Sequence, residues 1–284
     1  MAKPPFSSPQ SQTSALDARI EQAMFALQRD RPAEAERIAN DILKTNHHHR
    51  RALQVQGYAL LMQGRAQEAV AALERAVRGA ADPEAETQLA IALRRCGRME
   101  EALAVLKGAI KRRPPFAAAF HELGFLLFKL NRHQEAARVL ERGLELAPDV
   151  PDLSSQLGYI FLALSDRTQA RTAFARALAV SPRHPDALFG IANVLFEGGE
   201  FAQAAGAIQT YLSVRPNDTE ARIKLGACLL ELGQPEAAYS CLRAATRAGP
   251  KYAGKAIAAM VRSGHGRFWL RPSAAARFFR NEKA

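Results

Sequence analysis

The stretch LGYIFLALSDRTQARTAFARALAVSP, which runs from Leu157 to Pro182, decides how this chain folds. Its Leu-Gly pair has a counterpart at Leu123-Gly124, which lies 34 residues earlier. Its alanine at Ala170 and its final proline have counterparts at the same interval. Self-similarity at a fixed period of roughly 20–50 residues is typical of repeat architectures. The interval therefore predicts a chain built from copies of one unit.

Seven copies of this unit can be placed in register, at residues 16–49, 50–82, 83–116, 117–150, 151–184, 185–218 and 219–252. Position 20 is alanine in every copy, position 8 is glycine or alanine, and position 32 is proline in the last five. Positions 4, 7, 8 and 11 share one helix face, as do positions 20, 24 and 27. Position 15 is always Gly, Asn, Asp or Ser, which favours a turn. Each unit is thus predicted to be two helices joined by a turn.

This pattern resembles the tetratricopeptide repeat family, whose signature places a large residue, Leu-Gly, an aromatic residue, and then Ala, Phe and Pro at fixed offsets. The resemblance covers residues 16–252 and implies an all-α, right-handed solenoid of seven helix-turn-helix repeats. Tryptophan is missing at position 4 throughout, and the first copy is the weakest. Residues 253–263 look like one more first helix without its partner. We expect that helix to cap the solenoid.

Composition sets the broad class of protein. The 284 residues are 48% hydrophobic and 24% charged, so the chain can bury a core. Residues 1–15 lack the apolar core of a secretory signal, and no apolar run approaches the roughly 18 residues that span a bilayer. Cys96, Cys228 and Cys241 are scattered and odd in number, which favours free thiols over a disulfide framework. We expect a cytoplasmic protein.

The charge is concentrated near the end of the chain. The formal net charge is +11, and the segment from Lys251 onward supplies +7 of it, from eight positive residues and one negative. Residues 264–284 interleave these charges with aromatic residues. Three interpretations remain open for this tail: a cap folded back on the last helix pair, a docking segment for a protein or an anionic membrane, or a single-strand nucleic-acid site. The tail residues singled out are Arg267, Phe268, Trp269, Arg271, Arg277, Phe278 and Phe279.

The other end is different in composition. Residues 1–15 contain three prolines and four serines, which favour a flexible tail.

The resemblance implies that the first helices of the repeats line a concave groove, with positions 2, 5, 9, 12 and 13 facing inward. These positions carry more apolar and aromatic residues than the two packing stripes require, which favours a groove for a peptide or helix. The alternative is that the aromatic residues only fill gaps between repeats. Likewise, the arginines near residue 94 either face the groove or form a solvated helix face. The candidate groove residues are Tyr58, Leu61, Ile91, Arg94, Arg95, His121, Phe125, Phe128, Lys129, Tyr159, Leu162, Phe189, Asn193 and Phe196.

No catalytic motif accompanies the repeats. A Gly-rich phosphate loop, a GxSxG elbow and an HExxH pair are all missing from the sequence. The run His47-His48-His49 falls between repeats, and no carboxylate or thiol follows it at ligand spacing. We therefore expect no catalytic residues, no metal site and no cofactor.

We expect a non-enzymatic scaffold or adaptor that binds a protein or peptide in its groove. The alternative is an accessory subunit of an enzyme or membrane-associated assembly that docks through the basic tail. A nucleic-acid partner is not favoured, because no recognised nucleic-acid motif is present. Self-association, with the tail in the groove of its own chain or a neighbour, is a further variant.

Overall fold

The structure is a computed structural model that describes residues 9–79, 81–263 and 278–279. The elements within those ranges are α-helices, with no strand among them. Their bounds are α1 Pro9–Gln28, α2 Pro32–Thr45, α3 Arg50–Met62, α4 Ala66–Val77, α5 Pro83–Arg95, α6 Met99–Ala109, α7 Ala117–Lys129, α8 His133–Leu146, α9 Pro151–Ala163, α10 Arg167–Val180, α11 Pro185–Glu197, α12 Phe201–Val214, α13 Thr219–Glu231, α14 Pro235–Thr246 and α15 Pro250–Arg262.

The turn at position 15 takes the backbone conformation that its residue types predict. A positive φ is unfavourable for most residues and is most accessible to Gly, Asn and Asp. The three residues with side chains beyond glycine have φ angles of 57° to 62°, and the glycines have angles of 69° to 79°. The seven residues are Asp30, Gly64, Gly97, Asn131, Ser165, Gly199 and Gly233. Each of them lies in the turn between the first and the second helix of its repeat.

Small residues at positions 8 and 20 let the two helices of a repeat approach closely. The alanines at position 20 are fully buried in all seven copies. A Cβ added at Gly158 would lie 2.6 Å from the ring of Phe174, and one at Gly57 would lie 2.4 Å from Leu73 Cγ. The large side chain at position 24 therefore fills the space that the glycine at position 8 leaves open. The predicted close packing at positions 8, 20 and 24 is confirmed, whereas Arg19 and Gln22 at positions 4 and 7 of the first copy are exposed.

The chain divides into two compact units between Val139 and Leu140, which we call the N-terminal half and the C-terminal half. In the N-terminal half, the first helices α1, α3, α5 and α7 lie side by side, and α2, α4 and α6 pack behind them. Ile20, Ile38 and Ile42 belong to a buried cluster at its start. In the C-terminal half, α9 contacts α10 and α11, and α13 contacts both α14 and α15.

Two helices start earlier than predicted. Helix α1 begins at Pro9, so residues 9–15 are helical where a flexible tail was predicted. Helix α15 begins at Pro250 and not at residue 253. Proline is favoured in the first turn of a helix, because the N–H that it lacks has no intrahelical acceptor there. At residues 1–15 we counted the prolines as evidence for a flexible tail, and at position 32 we assigned Pro250 to the link between helices, whereas both Pro9 and Pro250 start a helix.

Candidate protein-interaction site

Several of the predicted inward positions of the N-terminal half line one cavity. Its volume is about 580 Å³. Successive first helices contribute to it from matching positions: Ile20 and Met24 on α1, Gln54 and Tyr58 on α3, and Ile91 on α5. Position 5 supplies Ile20 and Gln54, and position 9 supplies the other three. Two of the candidate groove residues, Tyr58 and Ile91, thus lie in one site.

Apolar side chains on this face remain open to solvent. Met24 is 38% exposed, Tyr58 is 42% exposed and Met62 is 36% exposed. All three occupy predicted inward positions, and none of them is needed to complete the buried core. Methionine is flexible and polarizable, so it adapts readily to different apolar partners. This half of the molecule therefore presents an apolar surface that its own core does not use.

Polar groups stand among these apolar residues. Gln88 Oε1 is buried and has no hydrogen-bond donor within the described part of the chain. Arg51 on α3 lines the cavity with an exposed side chain, and Glu84 on α5 also lines it. Asp82, also in the wall, accepts hydrogen bonds from the Glu84 and Ala85 backbone N–H groups and so caps α5. The cavity thus combines an unsatisfied acceptor with charges of both signs.

The prediction that Leu61 faces a partner is wrong. Its side chain is only 3% exposed. Position 12 follows position 8 by four residues, so a leucine there leans onto the same face as the small residue one turn earlier. Leu230, at position 12 of the last copy, is also buried. Arg95 contacts the backbone at this position, because its Nη1 donates to the Leu61 carbonyl oxygen at 2.7 Å.

The basic residues near Arg94 do gather around an aromatic ring. Arg94 Nε donates to Glu122 Oε1 at 2.6 Å, and the Arg94 guanidinium lies 4.8 Å from the centre of the Phe125 ring. Lys129 Nζ lies 5.4 Å from the same ring. Glu122 was missed at the sequence level, and it neutralises the arginine. Lys129 remains exposed beside the Phe125 ring.

The other predicted groove residues of the N-terminal half lie beside this cluster. His121 and Phe128 on α7 are half-buried. The Phe128 ring packs against the ring of His133, with 5.1 Å between the ring centres. Neither residue lines the cavity.

In the C-terminal half, three candidate residues of α11 surround a lysine that was not predicted. Lys224 Nζ lies 5.7 Å from the centre of the Phe189 ring and 5.5 Å from that of Phe196. Lys224 also donates a hydrogen bond to Asn193 Oδ1. Burial lowers the pKa of the Lys224 ammonium, although nearby carboxylates oppose that shift. The signal that could have identified Lys224 is its position 6, directly after an inward position 5.

Several aromatic rings of the C-terminal half fill gaps, as the alternative interpretation holds. Tyr159 donates from its hydroxyl to the Asp186 carbonyl oxygen at 2.9 Å, and its ring meets Phe174 edge-on at 5.0 Å. Burial raises the pKa of the Tyr159 phenol. Phe189 packs on Tyr211 with ring centres 5.2 Å apart. Leu162 is half-buried. In this half the aromatic rings pack against other side chains, and Tyr159, Phe189 and Phe196 remain partly exposed.

The described part of the tail returns to the last helix pair. The Phe278 ring meets Tyr239 edge-on at 5.0 Å, and the Arg243 guanidinium lies 4.6 Å above the Phe278 ring. Arg243 Nε donates to the Phe278 carbonyl oxygen at 3.2 Å, and Phe279 is 8% exposed. These contacts favour the cap. The remaining tail candidates, Arg267, Phe268, Trp269, Arg271 and Arg277, lie outside the described residues.

The histidine run has structural contacts. His49 Nδ1 accepts from the Ala52 backbone N–H and caps α3, and His47 Nδ1 contacts the Leu43 carbonyl oxygen. Over residues 9–79, 81–263 and 278–279, His, Cys, Asp and Glu side chains form no group that could hold a metal ion. The helices of those same ranges include none with the length and apolarity to cross a membrane.

Two family models, both described as tetratricopeptide repeat, match the chain. One matches residues 20–86 and 155–212, and the other matches residues 93–158 and 195–261. Together they cover most of the chain and both halves. No curated protein sequence matches it.

Solved structures share the fold at low sequence identity. PilF from Pseudomonas aeruginosa is 18% identical with a TM-score of 0.64, over 72% of this chain and 94% of that one. Human IFIT1, solved as a dimer with m7Gppp-AAAA, is 14% identical with a TM-score of 0.65, over 87% and 63%. TTC0263, a thermophilic TPR protein of Thermus thermophilus, is 24% identical with a TM-score of 0.53, over 64% and 99%. At these identities the likeness concerns the fold.

Proposed function

Because the chain belongs to the tetratricopeptide repeat family, whose members generally act as non-enzymatic interaction scaffolds, we propose that it holds a segment of a partner protein in the cavity of its N-terminal half. The observation that carries this proposal is the exposure of Met24 and Tyr58 in the wall of the cavity. Exposed apolar patches with a polar rim are typical of protein contact sites. An adaptor of this kind needs no catalytic group of its own.

The lining of the cavity indicates what kind of segment it accepts. Side chains from positions 5 and 9 repeat from α1 to α3 to α5, so the wall is a series of similar sites along a row of helices. A helix or an extended peptide with regularly spaced apolar residues fits such a row. Gln88 Oε1 provides a buried acceptor for one donor of that segment. Arg51 and Glu84 provide charges that fix its direction.

Selection from a phage-displayed library of random peptides tests this proposal. We expect apolar peptides to be enriched on the full-length protein, and we expect Tyr58→Ala to weaken their binding about tenfold, since tyrosine is a common interface anchor. The matched control is Phe25→Ala on α1, because Phe25 is 53% exposed but lies outside the inward positions. Peptides that bind both variants as tightly as the unaltered protein would contradict the proposed site.

We also propose a reducing, cytoplasmic environment. Cys96, Cys228 and Cys241 are free thiols in the structure. Burial raises the pKa of Cys228 to about 11 and also raises the pKa of Cys241, which keeps both thiols protonated and slow to oxidise. Fractionation of the cells that express the protein tests this location, and recovery from an oxidising compartment contradicts it.

A further inference from the structure

Lys224 on α13 has an incomplete set of partners. Its side chain is half-buried, yet the contacts of its ammonium group are one neutral oxygen, Asn193 Oδ1, and the rings of Phe189 and Phe196. A lysine ammonium carries three hydrogen-bond donors. A half-buried cation is costly unless an anion or several acceptors compensate for the lost water. Within the described part of the chain, Lys224 forms no ion pair.

The nearest carboxylates are already engaged with other cations. Glu197 forms an ion pair with Arg167 at 3.1 Å. Glu220 forms an ion pair with Lys255 on α15. Both glutamates act on Lys224 over a longer distance, and neither comes within ion-pair distance of it. The chain therefore supplies the attraction of nearby negative charge but no carboxylate that contacts the ammonium.

The groups around the Lys224 ammonium indicate which ligand could supply its missing partner. We propose that Lys224, between the rings of Phe189 and Phe196, binds an acidic side chain of a partner peptide. This inference rests on the proposed function as a protein-interaction scaffold, and it places a second peptide contact on the C-terminal half, outside the cavity. The apolar ring faces suit a peptide that places an apolar residue beside its Asp or Glu.

A carboxylate fits this site better than a nucleic-acid phosphate. The site has one cation, whereas a bound nucleic-acid strand needs a row of cations along its backbone. Glu197 and Glu220 add negative charge near the site, and each is paired with a cation of its own, Arg167 or Lys255. A single carboxylate needs only the one cation that Lys224 provides.

The experiment is a second selection from the same random peptide library, on the full-length protein and on Lys224→Met. Methionine keeps much of the apolar stem and removes the charge. We expect one group of enriched peptides to carry a fixed Asp or Glu beside an apolar residue, and we expect this group to disappear with Lys224→Met. The matched control is Lys251→Met, since Lys251 is exposed above one aromatic ring, that of Tyr252, at 4.7 Å. It should leave the selection unchanged.

Calorimetry on one acidic peptide then isolates the charge pair. We expect the peptide variant with Gln in place of Glu to bind the unaltered protein about tenfold more weakly. On Lys224→Met the same change should alter the affinity less than about twofold, because the two groups act as a pair. Lys224→Arg should restore most of the preference for Glu. Circular dichroism of each variant confirms that the helices are intact.

The outcomes distinguish this inference from the proposed function. Enriched peptides that are lost with Tyr58→Ala and show no acidic preference overturn the role of Lys224 and leave the cavity proposal in place. Acidic peptides whose binding ignores Lys224→Met also overturn it. Binding of a single-stranded RNA oligonucleotide that depends on Lys224, with no acidic peptide enriched, assigns the site to phosphate and overturns the inference. The absence of any enriched peptide overturns both proposals.

Discussion

Phe174 fills a space that two glycines leave open for it. A Cβ at Gly158 would lie 2.6 Å from its ring, and a Cβ at Gly190 would lie 2.3 Å from it. Gly158 belongs to the repeat pattern at position 8, so its role was predictable. Gly190 stands at position 6, where the other copies carry Glu, Gln, Lys or Val, so its role follows only from the packing of Phe174 in this copy.

The close contact at Gly158 leads to a stability prediction. We expect Gly158→Ala to lower the free energy of unfolding by about 1–3 kcal/mol, because the new methyl group overpacks the site beside Phe174. The control is Gly206→Ala in the exposed middle of α12, where a Cβ meets no atom within 4 Å. That change should raise stability by up to about 1 kcal/mol. Urea unfolding of both variants measures the difference, and equal effects would contradict this packing.

Asp218 leads to a prediction about pH. Burial alone would raise the pKa of its carboxyl, but hydrogen bonds from the Tyr211 hydroxyl at 2.6 Å and the Ala221 backbone N–H at 2.9 Å outweigh burial and lower it. A lowered pKa contributes stability above the unfolded value near 3.9, and that contribution is lost as the pH falls through the folded value.

We therefore expect Asp218→Asn to lower the melting temperature at pH 7, with a difference from the unaltered protein that shrinks as the pH falls from 5 toward 3. Thermal melts across this range provide the measurement. A difference that stays constant with pH would show that the Asp218 charge does not stabilise the fold.

At the scale of elements, the sequence predicted the helix pairs because their stripes and turns recur in every copy. It could not predict which inward residues stay accessible, since position 12 holds a buried Leu61 in one copy and a half-buried Phe196 in another. The roles of Lys224 and Glu122 were not predicted from the sequence, for a related reason. Their roles depend on contacts between neighbouring repeats. A repeat pattern describes only the residue types that recur at each position, so it does not show such contacts.

The last helix pair supplies a prediction about the tail. Phe279 is 8% exposed, and the neighbouring Phe278 ring packs on Tyr239 of α14. We expect Phe279→Ala to cost about 3 kcal/mol locally, because it removes a buried aromatic ring. Hydrogen exchange of the α14 amides should speed up, whereas the exposed Phe25→Ala should leave exchange in α14 unchanged. Unaltered exchange in Phe279→Ala would show that the tail does not cap the last pair.

At the scale of the whole molecule, charge and apolar exposure are unevenly distributed. The segment from Lys251 onward carries +7, so the preceding 250 residues carry only +4 of the total (11 − 7). The exposed apolar residues at inward positions, in contrast, belong to the N-terminal half. The overall basicity of the chain therefore says little about the cavity, whose walls are apolar with a few polar groups.

Site-specific photo-crosslinking tests the cavity proposal most directly. A benzoylphenylalanine in place of Tyr58 should crosslink to one segment of a partner protein in the cells that express the chain, and mass spectrometry should find apolar residues at the attachment point. The same photo-reactive residue in place of Phe25, on the neighbouring helix but outside the inward positions, should give little or none of that product. Equal crosslinking from both positions, or a product from position 25 alone, would contradict a partner held in the cavity.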